Sequence, residues 1–242
     1  EVLIGGCTFL NNWILRSETS NALDKIFVKN IKTGLEEELI FSDENVTVPG
    51  VSLMQRDKNT DTVYLSYSSP KTPSRVYKYN LQTKEKSLVK EQEIPSGHNS
   101  DDYVVERIEY KSHDGRLVPL TITRHKNTKL DGSANLLLYG YGSYGSSMHP
   151  IFSSTRLSLI NRNIIWATAH IRGGMEKGMK WWKEGKLLNK KNTFEDYIYA
   201  AKYLIEKNYT SKGKIIGMGG SAGGLLMGAV VNQSPELFLG II

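Results

Sequence analysis

The stretch Gly219-Gly220-Ser221-Ala222-Gly223-Gly224 carries the clearest chemistry in this chain. It holds G-x-S-x-G between Lys214 to Met218, which reads as a strand, and a helical run from Ala222 onward. A serine on so sharp a strand-to-helix turn is held in a strained conformation, with its hydroxyl above the sheet. The glycines around it avoid clashes that side chains would make. The helix that follows offers backbone N–H groups and a positive dipole end to a developing oxyanion. The chemistry would be acyl transfer. Two rivals stay open on the local residues: a relaxed dinucleotide pattern over Gly217, Gly219 and Ala222, and a glycine turn with an idle serine.

A nucleophilic serine needs a base and an orienting carboxylate. In hydrolases with this elbow the order is Ser, then Asp or Glu, then His. After Ser221 the sequence has no His and no Asp, and its one carboxylate, Glu236, reads as part of the helix leaving the elbow. The five histidines, His98, His113, His125, His149 and His170, all precede the serine. His170 follows a strand and could stand near the site, although a packing role suits it better. The expectation is that the catalytic Asp and His lie outside this chain.

Two more glycine loops compete. Gly140-Tyr141-Gly142-Ser143-Tyr144-Gly145 matches G-x-G-x-x-G, but Pro150 precedes any helix and no acidic residue falls between Asp131 and Glu176, so the dinucleotide reading fails. Arg172-Gly173-Gly174-Met175-Glu176 lacks the G-K-[ST] of a phosphate loop. It reads as a turn whose Arg172 pairs with a carboxylate such as Glu176 or Asp196.

Residues 106–242 alternate strand and helix, which implies a mostly parallel sheet covered on both faces. Glu106 to Tyr110 and Leu117 to Arg124 form a hairpin around His113-Asp114-Gly115. Ala134 to Tyr139 and Asn163 to Ala169 are buried strands, and Ser153 to Asn161 is helical. A second helix runs to Lys207, with Thr193 as N-cap and Asp196 at the third position. Residues 1–105 read instead as short strands. Lys25 to Thr33 aligns with Arg75 to Thr83 at an offset of 50, with Asn30/Asn80 and Thr33/Thr83 coincident. Each copy reads as a strand, a turn and a second strand, Glu38 to Phe41 in one and Ser87 to Val89 in the other. That period suits the blades of a propeller, with an unrelated sandwich as the alternative. The seam falls near Gly97 to Asp102.

The chain has 242 residues and a net charge of +6, with one cysteine, Cys7. That excludes a disulfide framework and a thiolate zinc cluster. No apolar run of membrane-spanning length occurs. The lysines are scattered, and Lys186 to Lys191 reads as a solvated face, so neither nucleic acid nor a membrane is expected as partner. A cytoplasmic setting fits, with the periplasm open.

The segments LLLYGYGSYG (136–145), RLSLINRNIIWATAHIRGG (156–174), GKLLNKKNTFEDYIYAAKYL (185–204) and MGGSAGGLLMGAVVNQSPELF (218–238) resemble the prolyl oligopeptidase family of serine peptidases, on its oligopeptidase B branch. The resemblance implies an α/β fold: part of an α/β-hydrolase preceded by the last blades of an all-β propeller. It implies Ser221 as nucleophile, the Ala222 amide as one oxyanion donor and the Tyr141 phenol as the other, while Tyr139 and Tyr144 remain packed loop tyrosines. It further implies a serine endopeptidase acting on short peptides after Arg or Lys, without metal or cofactor. The chain looks like an internal piece, inactive alone. Its strand Lys214 to Met218 is then expected at an unpaired edge, with poor solubility or a need for a complementary C-terminal chain. An esterase or other acyl hydrolase of the same fold, and a non-catalytic remnant or propeller interaction module, are the alternatives.

Overall fold

The computed structural model describes residues 1–40, 42–52 and 57–242. Two antiparallel four-stranded sheets come first: β1 (Leu3–Phe9), β2 (Trp13–Ser20), β3 (Leu23–Asn30) and β4 (Glu36–Glu38), then β5 (Gly50–Ser52), β6 (Thr62–Tyr67), β7 (Arg75–Asn80) and β8 (Lys86–Glu91). Successive strands pair in order, as in propeller blades. Alternate side chains point inward, so Val63 and Leu65 of β6 meet Leu15, Ile26 and Val28 of the other blade in one shared core. The outer strands β4 and β8 are exposed along their length and rich in Glu and Lys, which discourages edge pairing.

The internal repeat is a repeat of hydrogen bonds. Asn30 Oδ1 accepts from the amides of Lys32 (2.9 Å) and Thr33 (3.1 Å). Asn80 Oδ1 accepts from Gln82 and Thr83, both at 2.9 Å. Gly34 and Lys84 close the turns with φ of 74° and 63°. The strand after the first turn is Glu36–Glu38 rather than Glu38 to Phe41, because the Asn30 amide donates to Leu35 O and pairing resumes at once, Lys29 against Glu36. Phe41 lies outside the described residues.

A short helical turn at Ser100–Asp102 leads into β9 (Tyr103–Lys111) and β10 (Leu117–His125). Then come β11 (Leu136–Tyr139), α1 (Ser154–Ile160), β12 (Ile165–Ala169), α2 (Met179–Lys183), α3 (Lys191–Glu206), β13 (Ile215–Met218), α4 (Gly223–Gln233) and β14 (Phe238–Ile241). The sheet order is β14-β13-β11-β12-β10-β9. Strands β11 to β14 are mutually parallel, and the β9–β10 hairpin is antiparallel. Side chains alternate across β12: Ile165, Ala167 and Ala169 join the core under α3 and α4, and Trp166 packs with α1 on the other face. Among the described residues, no helix is long and apolar enough to cross a membrane.

Two expectations are overturned. Strand β13 is not an unpaired edge, because β14 pairs parallel to it, Ile215 against Phe238 and Gly217 against Ile241. The apolar run FLGI is itself a strand, and it takes up the backbone groups β13 would otherwise expose. Nor does Thr193 cap α3. The helix starts at Lys191, and Thr193 is buried in its first turn, donating its hydroxyl to Arg172 O (2.9 Å) and Gly185 O (3.1 Å).

Candidate active site

Parallel strands deliver their following loops to one edge of the sheet. Strand β11 is flanked by β12 and β13, so the chain passes from β11 to one side and then crosses back to the other, and at such a switch point open α/β sheets bind ligands. The three glycine loops sit there, after β11, β12 and β13.

The third loop turns from β13 into α4 at Ser221, whose φ is +54°. A non-glycine residue pays for that backbone conformation, and such outliers gather at functional sites. Ser221 is exposed, Ala222 is half-buried, and α4 opens at Gly223. Among the described residues, nothing hydrogen-bonds the Ser221 hydroxyl or takes the Ala222 amide. A Cβ on Gly219 would lie 2.7 Å from Gly223 O and 3.1 Å from Gly140 O, so only glycine fits. The same does not hold for Gly220 and Gly224, where a Cβ would meet open space. The crowding that requires glycine lies on the sheet side of the turn, not around the serine.

The first loop lies against the third. The Gly140 amide donates to Met218 O (3.1 Å), and a Cβ on Gly223 would come 3.6 Å from Tyr141 Cδ2. Tyr141 is therefore packed over the start of α4, half-buried, and its hydroxyl is unpartnered among the described residues. Tyr139 is a packed residue, stacked on Trp166 with ring centroids 6.2 Å apart. Tyr144 is not: it is 80% exposed at φ 57°.

The second loop is the anchor. Arg172 is buried, and its guanidinium grips Asp196 through Nε (2.9 Å) and Nη2 (2.6 Å) and Asp114 through Nη1 (2.6 Å). Burial alone would lower the Arg172 pKa, but its hydrogen bonds to Asp196 and then to Asp114 outweigh it and raise it. Asp196 also accepts from Ser112 Oγ (2.6 Å) and the Arg172 amide (3.0 Å). Every lone-pair direction of a fully buried carboxylate is thus used, as burial of a charge requires. Gly173, at φ 103°, has room only for hydrogen, since a Cβ would strike Gly142 O. Glu176 is not a partner of Arg172. Its carboxylate folds over Gly174, and Oε1 accepts from the Met148 amide (2.9 Å). Burial pushes its pKa up to about 7, against the smaller opposing effect of that hydrogen bond.

His170 is buried, with Nε2 2.8 Å from Thr121 Oγ1, and burial drives its pKa well below the ordinary value. It is a packing residue. His98 bonds to Lys71 O (2.6 Å) and His149 to Asp24 (2.6 Å). No histidine among the described residues hydrogen-bonds Ser221. The lysine-rich stretch is only in part a solvated face. Leu188 is fully exposed, yet Lys190 is half-buried and donates to Gly142 O (2.5 Å) and Ser143 Oγ (2.8 Å). Sequence reasoning missed this contact. The available signal was a lysine pair at the start of a helix, where the dipole disfavours cations.

Residues 150–242 match the Prolyl oligopeptidase family, and residues 1–92 match the Prolyl oligopeptidase, N-terminal beta-propeller domain. The chain is similar to dipeptidyl aminopeptidase BI of Pseudoxanthomonas mexicana, 40% identical over 98% of this chain and 32% of the relative. It is similar to protease 2 of Moraxella lacunata, 38% identical over 95% of this chain and 33% of the relative. Oligopeptidase B from Trypanosoma brucei, solved closed with covalently bound antipain, superposes with a TM-score of 0.90 at 33% identity, over 99% of this chain and 35% of that one. The chain spans about a third of the length of the curated relatives it matches. With its blades and its sheet both matched by one group of proteins, in the same order along the sequence, the chain belongs to the prolyl oligopeptidase family.

Proposed function

We propose that this chain carries the nucleophile and oxyanion half of a serine oligopeptidase site. Residues 1–105 form the C-terminal part of a propeller domain, and residues 106–242 open the catalytic domain. The observation that carries the reading is Ser221, exposed at φ +54° between β13 and α4, with Tyr141 packed over the start of α4. Ser221 Oγ attacks the scissile carbonyl while a base takes its proton. The carbonyl oxygen becomes an oxyanion, which accepts hydrogen bonds from the Ala222 amide and the Tyr141 hydroxyl. Collapse expels the amine, which takes the proton from the base, and leaves an acyl-serine, which water then cleaves.

The base and its orienting carboxylate come from outside these 242 residues. The prolyl oligopeptidase B of Galerina marginata, solved bound to macrocyclization substrates, was studied as serine, aspartate and histidine variants, the latter two further along its chain than the serine. We infer short peptides as substrates, cleaved after Arg or Lys as the sequence resemblance implies, and no nucleic-acid or membrane partner. The single cysteine, Cys7, suits a cytoplasmic setting.

The test is intact-mass analysis after treatment with a fluorophosphonate probe, with Ser221→Ala as control. This chain is treated alone and together with a separately produced C-terminal segment of a relative. Labelling at Ser221 only in the mixture is expected. Labelling of the chain alone would mean a base lies within it. No labelling in either case, with the chain folded by circular dichroism, would leave a non-catalytic module. In the complete protein Ser221→Ala is expected to lower kcat on the order of 10⁶-fold.

A further inference from the structure

The site reading leaves one charged group unexplained. Lys190 stands immediately before α3 with helical backbone angles, φ −58° and ψ −28°, and Lys191 follows it as the first helical residue. Two cations at a helix N-terminus oppose its dipole. Lys190 is also half-buried, with no carboxylate partner among the described residues, and burial lowers its pKa. Placement against the dipole, burial and lack of a counter-ion all count against a lysine here. A local rule broken without local gain marks a position held for another reason.

The contacts supply that reason. The ammonium donates to Gly142 O and Ser143 Oγ, the two residues after Tyr141. Gly142 is pressed from the same helix by Thr193 Cγ2 and from below by Arg172 O, both closer to its ideal Cβ position than a side chain allows. On its other side the loop is tied to the elbow by the Gly140 amide on Met218 O. Tyr141 thus sits between a tether to the elbow strand and a clamp from α3. A charged donor on a carbonyl forms a stronger bond than a neutral one, and it acts over a loop with no regular structure of its own.

We propose that Lys190 is a positioning residue for acyl transfer, clamping Gly142 and Ser143 so that the Tyr141 phenol is fixed over the Ser221 elbow. This rests on Tyr141 being an oxyanion donor. Lys190 touches neither substrate nor the reacting atoms. Its loss lets the phenol wander, which weakens transition-state binding and leaves ground-state binding alone.

The experiment is a double-mutant cycle in the complete protein, on a short peptide substrate, with fluorophosphonate labelling of Ser221 in parallel. Tyr141→Phe is expected to cost about 10² to 10³ in kcat. Lys190→Met is expected to cost roughly 10- to 100-fold in kcat with KM within about twofold, and Lys190→Arg to restore most of the rate. In the Tyr141→Phe background, Lys190→Met is expected to cost no more than about twofold further, since both changes remove the same interaction. A fully additive loss, a change confined to KM, or wild-type kinetics in Lys190→Met overturns the clamp. If Lys190→Met does not fold, Ser143→Ala reads the same contact: roughly a two- to fivefold loss of kcat at constant KM supports it, and no loss overturns it. Wild-type protein that is not labelled at Ser221 overturns the acyl-transfer reading and the clamp together. Labelling that proceeds equally fast in wild type and Lys190→Met overturns the clamp alone.

Discussion

The two blade turns and the three glycine loops repay comparison. The turns at Asn30 and Asn80 share a pattern of Asn, apolar residue, variable residue and Thr, and they fold alike, hydrogen bond for hydrogen bond. The loops at 140–145, 172–176 and 219–224 also share a composition, yet they do three different things. One carries a tyrosine, one anchors a buried arginine and one bends a serine into the left-handed region. In the turns, the asparagine side chain bonds amides two and three residues on, so the partners are local. In the loops the deciding partners are distant: Arg172 reaches aspartates 24 and 58 residues away, and the Gly140 amide bonds Met218 O on another strand. Short-range chemistry repeats when sequence repeats. Long-range chemistry does not.

The largest effect that would break this contrast is at the anchor. Arg172→Met strands Asp196 in the core without its counter-ion, and should cost about 3 to 5 kcal/mol by urea denaturation. A loss under 1 kcal/mol would mean that the loops do not depend on this distant pair. The next test lies where the second loop meets the first blade, since the Ala22 amide donates to Glu176 O. The Glu176 carboxyl is raised from 4.5 to about 7 in the folded protein. Its contribution is therefore full below pH 4.5, declines as pH rises, and is gone above about 7. At about 1.4 kcal/mol per unit, that is on the order of 3 kcal/mol across the window. Glu176→Gln should flatten this part of the stability–pH curve. An unchanged slope would show that the groups around it carry the titration, including His149, whose pKa Asp24 raises in the same sense.

Within the elbow, Gly219→Ala and Gly220→Ala form a pair. The first places a Cβ 2.7 Å from a backbone oxygen and should cost about 1 to 3 kcal/mol. The second meets open space and should stay within about 0.5 kcal/mol. Equal losses would mean that the turn's backbone angles, not its neighbours, demand glycine. The smallest effect sharpens the other side of the comparison. Asn30→Ala and Asn80→Ala should each cost about 1 kcal/mol, and nearly the same amount, because each removes one acceptor from two amides. Unequal losses would show that blade context enters even there.

Much of the fold was legible because its signals are local or periodic. The 50-residue repeat, the β9–β10 hairpin around Gly115 and the alternation of buried strands with helices all appear in the structure. The misreadings share a cause. Thr193 has the residue type of a cap, but α3 begins two residues earlier and Thr193 bonds the second loop instead. Of the two carboxylates expected for Arg172, Asp196 is the partner and the nearby Glu176 is not, and Asp114 is a second partner that the sequence did not suggest. FLGI reads as an unpatterned apolar run until β13 is there to pair with it.

By itself, then, the sequence determined most of the elements, the elbow and its serine, since a glycine-flanked turn between an apolar strand and a helix is specified by neighbours along the chain. Only the tertiary structure decided which partners the loops take: Tyr141 over the start of α4, Lys190 on the loop beyond it, Arg172 between two aspartates, and Glu176 buried on the Met148 amide. Those pairings span the sheet edge, and burial, not proximity in sequence, sets which polar group must find which.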